Sequence, residues 1–419
     1  MNKRKKSSTT IFDPVHREYE LGPEIVDIIN RTKFQRLRRL KQLATAHWVW
    51  IGATHTRFEH SISVAYLAGH MTRNLRQKQP ELNISERQIV LVQLAGLLHD
   101  VGHGPFSHLF DDIFLAGNDS PMANHECRSV TIVSKLLKES NFEYSTEEIV
   151  FVQSLIAPGP ENKGFFWEIV SNQVNHLDVD KIEYIKRDAR ACGLSQGGFD
   201  TDSMRIINSA RVIDDHICYQ HKVYEDIYNL FQTRYRLHTT VYRHPVVVAI
   251  RHMVSDALKA SKLTLEESIE DIETFCQYDD TILDRLRNST EHKESQNIIK
   301  RIDERRLYKV IHTEKRTKEW KYKIPTAKAL VELEPDLPLK TIIVDFSCVG
   351  FIGKADGHPM DNLKFYDSQK HNKAFTVKRS SISTLLTSRY CEYWTRIIVR
   401  DEAFAPLAKR AWVAWNSNI

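Results

Sequence analysis

The sequence lacks the features that mark membrane-spanning, fibrous and disordered proteins. Its longest apolar run, residues 89–98, is shorter than the ~20 residues needed to cross a membrane, and it contains Gln93 and Gly96. Glycine and proline are scarce, with 15 and 13 residues among 419, which excludes collagen-like and linker-like classes. Hydrophobic residues make up 42% of the chain and charged residues 27%, so we expect a folded globular protein with no membrane partner.

Cysteine is also rare, and its six residues are scattered without a CxxC pair. This distribution is typical of a reduced intracellular protein and argues against a disulfide framework. The N-terminus lacks the apolar segment of a signal peptide. We therefore expect an intracellular location, with nucleus and cytoplasm both left open.

The charge balance is mildly basic. Lys and Arg total 59 against 54 Asp and Glu, which gives a net charge of +5. This balance permits a polyanionic partner, including weak nucleic-acid binding, without requiring one. Residues 1–10 are polar and basic and are predicted to form a disordered tail, in which the run from Lys3 to Lys6 fits a nuclear import signal or a solubilising tail equally well.

Hydrophobic periodicity predicts a mostly α fold. Apolar residues at helical spacing extend over residues 25–43. The segment 86–98 is apolar on nearly every side, which is typical of a helix buried inside a helical domain, and it is predicted to end at residues 99–100. Residues 165–191 and 224–260 are predicted to form two further long helical stretches.

The composition and hydrophobic pattern of the sequence change after about residue 262. Residues 262–320 are charged and predicted to be helical, with the polar stretch 288–297 as a candidate loop. Residues 340–346 and 374–377 are rich in β-branched residues and predict strands, and residues 407–415 predict a helix. The length allows two to four structural units, or one large core with an appendage.

Groups of histidine and acidic residues stand out as candidate metal ligands and catalytic groups. They are His60, His99, Asp100, His103, His108, His125 and Asp180. Imidazole and carboxylate ligands together suit a borderline divalent metal such as Fe, Mn, Ni or Zn. Such a metal would polarise a phosphoryl oxygen and lower the pKa of a water molecule. Packing alone is a poor explanation for so many histidines around glycine-rich breaks.

Residues spaced four apart add two polar stripes, because this spacing places side chains on one helix face. The stripes are Asp180, Tyr184 and Asp188, and Arg234, His238 and Tyr242. An arginine can hold a phosphate bidentately, and an aromatic ring can close against a sugar or base. The alternative interpretation is that both stripes are buried polar faces of a helix bundle, which we would prefer without the metal motif.

Several longer stretches are highly specific when taken together. They are Phe34-Gln-Arg-Leu-Arg38, Lys41-Gln-Leu43, Arg57-Phe-Glu-His-Ser61, Gln79-Pro-Glu-Leu82, residues 99–108 and Asp178-Val-Asp-Lys181. The pattern resembles the HD-domain superfamily, and within it the SAM-and-HD-domain deoxynucleoside triphosphate triphosphohydrolases. The sterile alpha motif domain that precedes the catalytic core of the vertebrate members is missing from this sequence. The implied fold is mostly α, with an HD-domain catalytic core over residues 11–320 and a smaller α+β lobe for regulation or oligomerisation over 321–419.

The resemblance implies that water attacks the α-phosphorus of a dNTP, releasing the deoxynucleoside and intact inorganic triphosphate. This activity would control dNTP pools, with antiviral depletion as one use. The implied ligands of the catalytic transition metal are His60, His99, Asp100 and Asp180. Additional Mg²⁺ is expected on the phosphates of the nucleotide.

The same resemblance implies roles for further residues. Phosphate contact and proton transfer fall to His103, His108, Asp111 and His125, without a decision on the general acid. The triphosphate would be held by Arg57, Lys181, Tyr184 and Arg234, with His238 on the same stripe. The residues that match sugar-binding positions of the family are Gln42, Leu43, Asp188 and Tyr242. Tyr242 beneath the ribose would exclude a 2′-hydroxyl sterically, which an apolar pocket alone does poorly.

The family resemblance also implies nucleotide-driven assembly from dimer to tetramer, with GTP and dNTP activators. Residues at or near the matching allosteric positions are Asn30, Gln35, Arg38, Val49, Trp50, Arg211, Lys222, His244, Arg305, Lys309 and Lys378. Asn30 replaces an aspartate that accepts two hydrogen bonds from guanine, and an amide oxygen accepts only one of them well. Basic or phosphate-facing positions are replaced by Thr9, Gln220, Thr240 and Pro245. We therefore expect activation that is weakened, altered in base choice or absent.

Three alternatives stay open at this point. The enzyme could be a narrow dGTPase instead of a broad dNTP hydrolase. An HD phosphodiesterase acting on cyclic or phosphorylated nucleotides would be distinguished by its product. A nucleic-acid-binding protein with a secondary HD site is compatible with the basic charge, although no aromatic RNA-binding motif is present.

Overall fold

The computed structural model describes residues 8–194, 203–261, 263–316, 324–350, 358, 360–377 and 391–417. The chain forms two compact units. The first comprises Met1–Thr233, Leu263–Ile282 and Pro359–Thr384, and the second comprises Arg234–Lys262, Leu283–His358 and Leu385–Ile419. The predicted division between a core and a lobe at residue 320 remains a prediction.

Helices account for most of the described residues, as predicted. They are α1 (Pro23–Ile29), α2 (Thr32–Gln35), α3 (Arg57–Lys78), α4 (Glu86–Leu98), α5 (His125–Lys138), α6 (Thr146–Ile156), α7 (Val179–Ala191), α8 (Ser203–Ser209), α9 (Tyr224–Leu237), α10 (Pro245–Lys259), α11 (Ile272–Phe275), α12 (Ile282–Arg287), α13 (Lys293–Asp303), α14 (Ala327–Leu333) and α15 (Ala405–Ser417). No helix in these described ranges is long and apolar enough to cross a membrane.

Short strands complete the fold. They are β1 (Thr9–Asp13), β2 (Arg17–Leu21), β3 (Arg211–Ile213), β4 (His216–Gln220), β5 (Lys309–Arg316), β6 (Ile342–Gly350), β7 (Phe365–Asp367), β8 (Lys370–Phe375) and β9 (Cys391–Val399). In the first unit, β1 and β2 form an antiparallel hairpin, and a second sheet has the order β3-β4-β7-β8. In the second unit, the antiparallel sheet β5-β9-β6 packs against α14 and α15 around Leu330, Ile397 and Trp412.

Helices α3 and α4 form the centre of the first unit. Both begin with a capping box, in which Thr56 pairs with Glu59 and Ser85 pairs with Gln88, so the first backbone amides of each helix are satisfied. The apolar surface of α4 is buried on nearly all sides, and the helix ends with His99 as its C-cap, as predicted. The start of α3 therefore positions the motif that contains His60, and the end of α4 positions the motif that begins with His99.

Two of the predicted helical stretches are interrupted. The continuous pattern over 25–43 is interrupted after α1, where Asn30 caps the helix, and again after α2 by a 3₁₀ turn. Between residues 169 and 178 the predicted helix is absent, since the Asn172 side chain accepts the amides of Val174 and Asn175. The stretch begins with a 3₁₀ turn over Phe165–Glu168, and its α-helical part is α7.

Other corrections concern single elements. The stretch 224–260 is broken at His244, because Pro245 begins a new helix and α9 first widens into a π-helical turn over His238–Tyr242. The candidate loop 288–297 is partly wrong, since α13 begins at Lys293. The charged segment also contains strand β5, which the helical prediction missed.

The N-terminal hairpin was likewise not predicted. Strand β1 begins at Thr9, inside the segment expected to be a tail, and residues 1–7 lie outside the described part of the chain. The strands expected near residues 340 and 374 correspond to β6 and β8, and the C-terminal helix corresponds to α15, so these predictions are confirmed.

Candidate active site

Four of the predicted metal ligands converge in the first unit. The Nε2 atoms of His60 and His99 are 3.3 Å apart. Asp180 Oδ1 lies 3.1 Å from His60 Nε2 and 3.3 Å from His99 Nε2. Asp100 contributes Oδ2 at 3.4 Å from His60 Nε2 and Oδ1 at 3.5 Å from His99 Nε2. Helices α3, α4 and α7 therefore bring two imidazole nitrogens and two carboxylates to one point.

The hydrogen bonds of His60 and His99 orient both rings for binding a cation. His99 Nδ1 lies 2.9 Å from the Gly96 carbonyl oxygen, which can only accept, so Nδ1 carries the proton. His60 Nδ1 donates in the same way to Glu183 Oε2. The lone pairs of both Nε2 atoms therefore point towards the carboxylates, and four acceptors without a cation between them would repel one another. This donor set suits a divalent transition metal.

The local charges have the expected effect on the ligand pKa values. Burial alone would lower the pKa of His60, but the Glu183, Asp100 and Asp180 carboxylates outweigh burial and raise it well above its usual value. Burial likewise opposes ionisation of Asp100, but Arg57 and the neighbouring histidines hold its pKa well below the usual range. Excess negative charge at this point therefore attracts a positive partner, either protons or a metal ion.

Glu183 belongs to a buried network that the sequence reasoning missed. Arg187 Nε donates to Glu183 Oε1 at 2.6 Å, and Arg187 Nη2 donates to Asp13 Oδ2 at 2.8 Å. His16 Nε2 lies 3.5 Å from Glu183 Oε1. The signal available in the sequence was the i, i+4 pair of Glu183 and Arg187 on the helix that carries Asp180.

The predicted acid–base residues form a second cluster in the same unit. The rings of His103 and His125 are stacked with centroids 3.9 Å apart, and His108 stands edge-on to His103 at 4.9 Å. His125 Nδ1 is 2.7 Å from Asp111 Oδ2, and Arg128 holds the other oxygen of Asp111. His103 Nε2 lies 3.2 Å from Asp100 Oδ1, which joins this cluster to the metal ligands.

These histidines differ in exposure. His103 is buried, and burial together with the positive charge of Arg57 lowers its pKa well below the usual value. His108 is exposed to solvent, and His125 is partly buried. A neutral buried imidazole next to exposed ones can pass protons between the metal ligands and a bound substrate.

The loop that carries His103 and His108 is held in an uncommon conformation. Phe106 and Ser107 have left-handed φ values of 61° and 58°, which cost a non-glycine residue roughly 1–3 kcal/mol each. The Asp280 carboxylate accepts the Phe106 amide at 2.6 Å and the Lys41 amide at 2.7 Å. Arg57 Nε donates to Ser107 Oγ at 2.8 Å, and Ser107 Oγ donates to the Lys41 carbonyl at 2.7 Å. Asp280 is a second residue that the sequence reasoning missed.

The predicted substrate-binding residues of the first unit lie around these loops. Arg57 is buried and paired with Asp100, and Lys181 Nζ lies 3.3 Å from Asp178 Oδ2. Asp188 Oδ1 is 2.7 Å from His55 Nε2, so His55 joins the set without having been predicted. The remaining members are the partly buried residues Gln42, Leu43 and Tyr184. Gln42 Oε1 is buried without a hydrogen-bond partner, which leaves an acceptor for a ligand.

The other predicted substrate residues belong to the second unit. Arg234 Nη1 donates to the Gly350 carbonyl at 2.6 Å. The rings of His238 and Tyr242 are in edge-on contact with centroids 4.9 Å apart, so their predicted shared face is preserved through the π-helical turn. Their role towards a substrate stays a prediction.

The predicted allosteric residues of the first unit occupy several elements. Asn30 is the exposed C-cap of α1, Gln35 Nε2 donates to the Ile29 carbonyl at 2.7 Å, and Arg38 lies over the ring of Phe58 at 3.5 Å. The others are Val49 and Trp50 in the loop before α3, Arg211 in β3 and Lys222 in the turn before α9. Trp50 Nε1 is buried without a hydrogen-bond partner. Lys378 lies outside the described residues.

A basic cavity in the second unit gathers further predicted allosteric residues. Its volume is about 810 Å³, and Arg305 and Lys309 are in its wall. Arg301 and Arg306 add positive charge, and Tyr308 adds an aromatic surface. Asp401 and Glu402 also line the cavity, and Glu402 Oε1 lies 3.0 Å from Lys309 Nζ. His244, the third predicted member of this unit, is the N-cap of α10. The combination of guanidinium groups and an aromatic ring suits a phosphorylated ligand.

Two protein-family models match this chain. Residues 57–187 match the HD domain family, which spans the helices that carry the four convergent ligands. Residues 201–332 match the HD associated region.

Curated relatives match nearly the whole chain. The deoxynucleoside triphosphate triphosphohydrolase SAMHD1 of Bos taurus is 35% identical over 97% of this chain and 77% of its own length. The SAMHD1 homologue of Dictyostelium discoideum is 34% identical over 95% of this chain and 78% of its own length. The protein of the same name from Homo sapiens is 34% identical, over 97% of this chain and 73% of its own length.

Proposed function

This chain belongs to the SAMHD1 family of HD-domain deoxynucleoside triphosphate triphosphohydrolases, and from that premise we propose that it hydrolyses dNTPs to deoxynucleosides and inorganic triphosphate. The observation that carries the proposal is the convergence of four groups, from His60, His99, Asp100 and Asp180, whose nitrogen and oxygen atoms suit a divalent cation. Control of dNTP pools is the proposed role.

The metal would be held by these four residues. When bound, a divalent cation supplies positive charge and Lewis acidity at the phosphoryl group under attack. Arg57 adds a second positive charge beside Asp100 and fixes the orientation of that carboxylate. Lys181, at the start of α7, is the nearest flexible cation in sequence to Asp180 and is proposed to hold a phosphate oxygen, with Mg²⁺ on the remaining phosphates.

Proton transfer is proposed to fall to the histidine cluster. His125 is fixed by Asp111, which orients its ring and leaves Nε2 for exchange. His108 is exposed and therefore accessible to a bound nucleotide. His103, which is buried and neutral, would link this cluster to Asp100.

We further propose nucleotide regulation with altered base selectivity, through oligomers of the chain. The basic cavity of the second unit supports an anionic effector, and the amide of Asn30 supports weak selectivity for guanine. The test is a titration of activity with GTP and with each dNTP, using Asn30→Asp as the matched variant. We expect a weak GTP response that Asn30→Asp increases; a strong GTP-specific response of the unchanged chain would contradict this part of the proposal.

The hydrolytic function is tested with a pair of histidine variants on the same helix. His60→Ala removes a metal ligand, whereas His70→Ala removes a ring whose Nε2 only contacts Asn208 Oδ1. Triphosphate release from each of the four dNTPs should be abolished by the first change and preserved by the second. Retained triphosphate release in His60→Ala would overturn the proposal.

A further inference from the structure

A buried chain of ion pairs connects the N-terminal hairpin to the metal ligand His60. It runs from Asp13 at the end of β1, through Arg187 and Glu183 on α7, to His60 Nδ1 on α3. The side chains of all four residues are at most 4% exposed. Such burial is costly for charged groups unless each has a defined partner.

Glu183 fixes the proton and the direction of the His60 ring. One carboxylate oxygen accepts from His60 Nδ1, and the other accepts from Arg187 Nε at 2.6 Å, so the carboxylate cannot rotate freely. An anionic acceptor on Nδ1 makes the opposite nitrogen a stronger electron-pair donor. The ligand strength of His60 therefore depends on the position of Glu183.

Arg187 is held in turn by the hairpin. Its Nη2 donates to Asp13 Oδ2 at 2.8 Å and to Ser63 Oγ at 2.9 Å. The other oxygen of Asp13 accepts the backbone amides of Val15 and His16, at 2.8 and 2.7 Å. The turn between β1 and β2 therefore sets where Asp13 stands, and Asp13 sets where Arg187 stands.

The charges of Asp13, Arg187 and Glu183 do not sum to zero. Asp13 and Glu183 carry two negative charges against the single positive charge of Arg187, and all are buried. The buried ring of His16, 3.5 Å from Glu183 Oε1, adds a positive charge only when it is protonated. The remaining negative charge faces His60 and is relieved by a cation on its far side. We propose that Asp13, Arg187 and Glu183 are positioning residues that couple the docked N-terminal hairpin to the metal affinity of the centre.

This inference rests on the metal centre of the proposed function, so the test measures metal binding directly. The metal-free full chain is titrated with Mn²⁺ in competition with a chromophoric chelator. The variants are Glu183→Gln, Asp13→Asn and their combination, with Arg187→Lys as a second way to loosen the same link. Tyr19→Phe is the control for docking of the hairpin, because it removes a 3.0 Å contact with Ser63 Oγ but leaves that hydroxyl to accept from Arg187 Nη2 and changes no charge.

We expect Glu183→Gln to weaken Mn²⁺ binding by about 10–100-fold. Asp13→Asn and Arg187→Lys should weaken it by a smaller factor, and Tyr19→Phe should leave it unchanged. Because Asp13 acts through Glu183, the double variant should bind Mn²⁺ no more weakly than Glu183→Gln alone. Thermal unfolding followed by circular dichroism checks that each variant is folded.

The inference is overturned if Glu183→Gln binds Mn²⁺ like the unchanged chain, or if the effects of Asp13→Asn and Glu183→Gln multiply. It is also overturned if Tyr19→Phe weakens binding as much as Asp13→Asn, because docking of the hairpin alone would then explain both. Coupling of Mn²⁺ affinity without any triphosphate release would support this inference while refuting the proposed function. Triphosphate release without any effect of these variants on Mn²⁺ affinity would support the proposed function and refute this inference.

Discussion

Replacing Asp280 by asparagine should reduce both stability and turnover. The carboxylate accepts the amides of Lys41 and Phe106, but an asparagine side chain has a single acceptor oxygen. One amide would then face an NH₂ group, at a cost of about 1–3 kcal/mol for an unsatisfied buried donor. Because Phe106 and Ser107 already have left-handed φ values, the loop is expected to relax and move His103 and His108. A displacement near 1 Å lowers kcat by roughly 100-fold.

The pH dependence gives an independent check on Asp280. Burial raises the pKa of Asp280 to about 7, so the folded chain retains this proton to a higher pH than the unfolded chain does. The contribution of this group to stability therefore falls as pH rises from the unfolded pKa towards the folded one. Asp280→Asn lacks this titration, so the stability difference between wild type and variant should shrink over the same range.

The assay combines urea unfolding at several pH values with kcat and KM for triphosphate release. Asp271→Asn is the matched control, since the Asp271 carboxylate accepts the amides of Glu273 and Thr274, at 3.2 and 3.3 Å, on an exposed helix cap. Because asparagine and aspartate are about equally good N-caps, the control should lose less than about 1 kcal/mol of stability and keep its kcat. An Asp280→Asn variant with unchanged kcat, or a stability difference that grows with pH, would refute the reasoning.

Further predictions concern the helices that carry the site. Gly102→Ala should lower the unfolding free energy by about 1–3 kcal/mol, since a Cβ there would meet the backbone of His125 and Ser129; thermal melts showing no change would contradict it. Leu97→Ala removes a fully buried side chain and should cost about 2–5 kcal/mol in urea unfolding, whereas a cost below 1 kcal/mol would contradict the packing of α4. Ser85→Ala removes the cap that accepts the Gln88 amide at 3.1 Å and should cost about 1 kcal/mol, with kcat unchanged.

Sequence reasoning singled out the four candidate ligands because they occur in short motifs at element boundaries. His60 lies in the first turn of α3, and His99 and Asp100 follow the last residue of α4, so local patterns were sufficient to find them. The partners that orient these ligands depend on tertiary packing. Glu183 contacts His60 from 123 residues away in the chain, and neither carries a local signal for the other.

The errors in secondary structure have a related origin. Asn172 replaces helical hydrogen bonds with side-chain bonds to the backbone, which hydrophobic periodicity does not register. The hairpin β1–β2 was missed because residues 9–10 were assigned to the basic tail and the following residues to the mostly α core. Asp280 was overlooked since a buried carboxylate that accepts two distant amides cannot be recognised before the chain folds.

The most direct test of the central claim is to follow hydrolysis of a dNTP in water enriched in oxygen-18. If water attacks the α-phosphorus, the bond between that phosphorus and the 5′-oxygen breaks, and the 5′-oxygen stays with the nucleoside. The inorganic triphosphate should then be intact and carry one labelled oxygen. The deoxynucleoside should be unlabelled, and His99→Ala should form neither product. Release of orthophosphate or a nucleoside monophosphate, or label in the deoxynucleoside, would contradict the account.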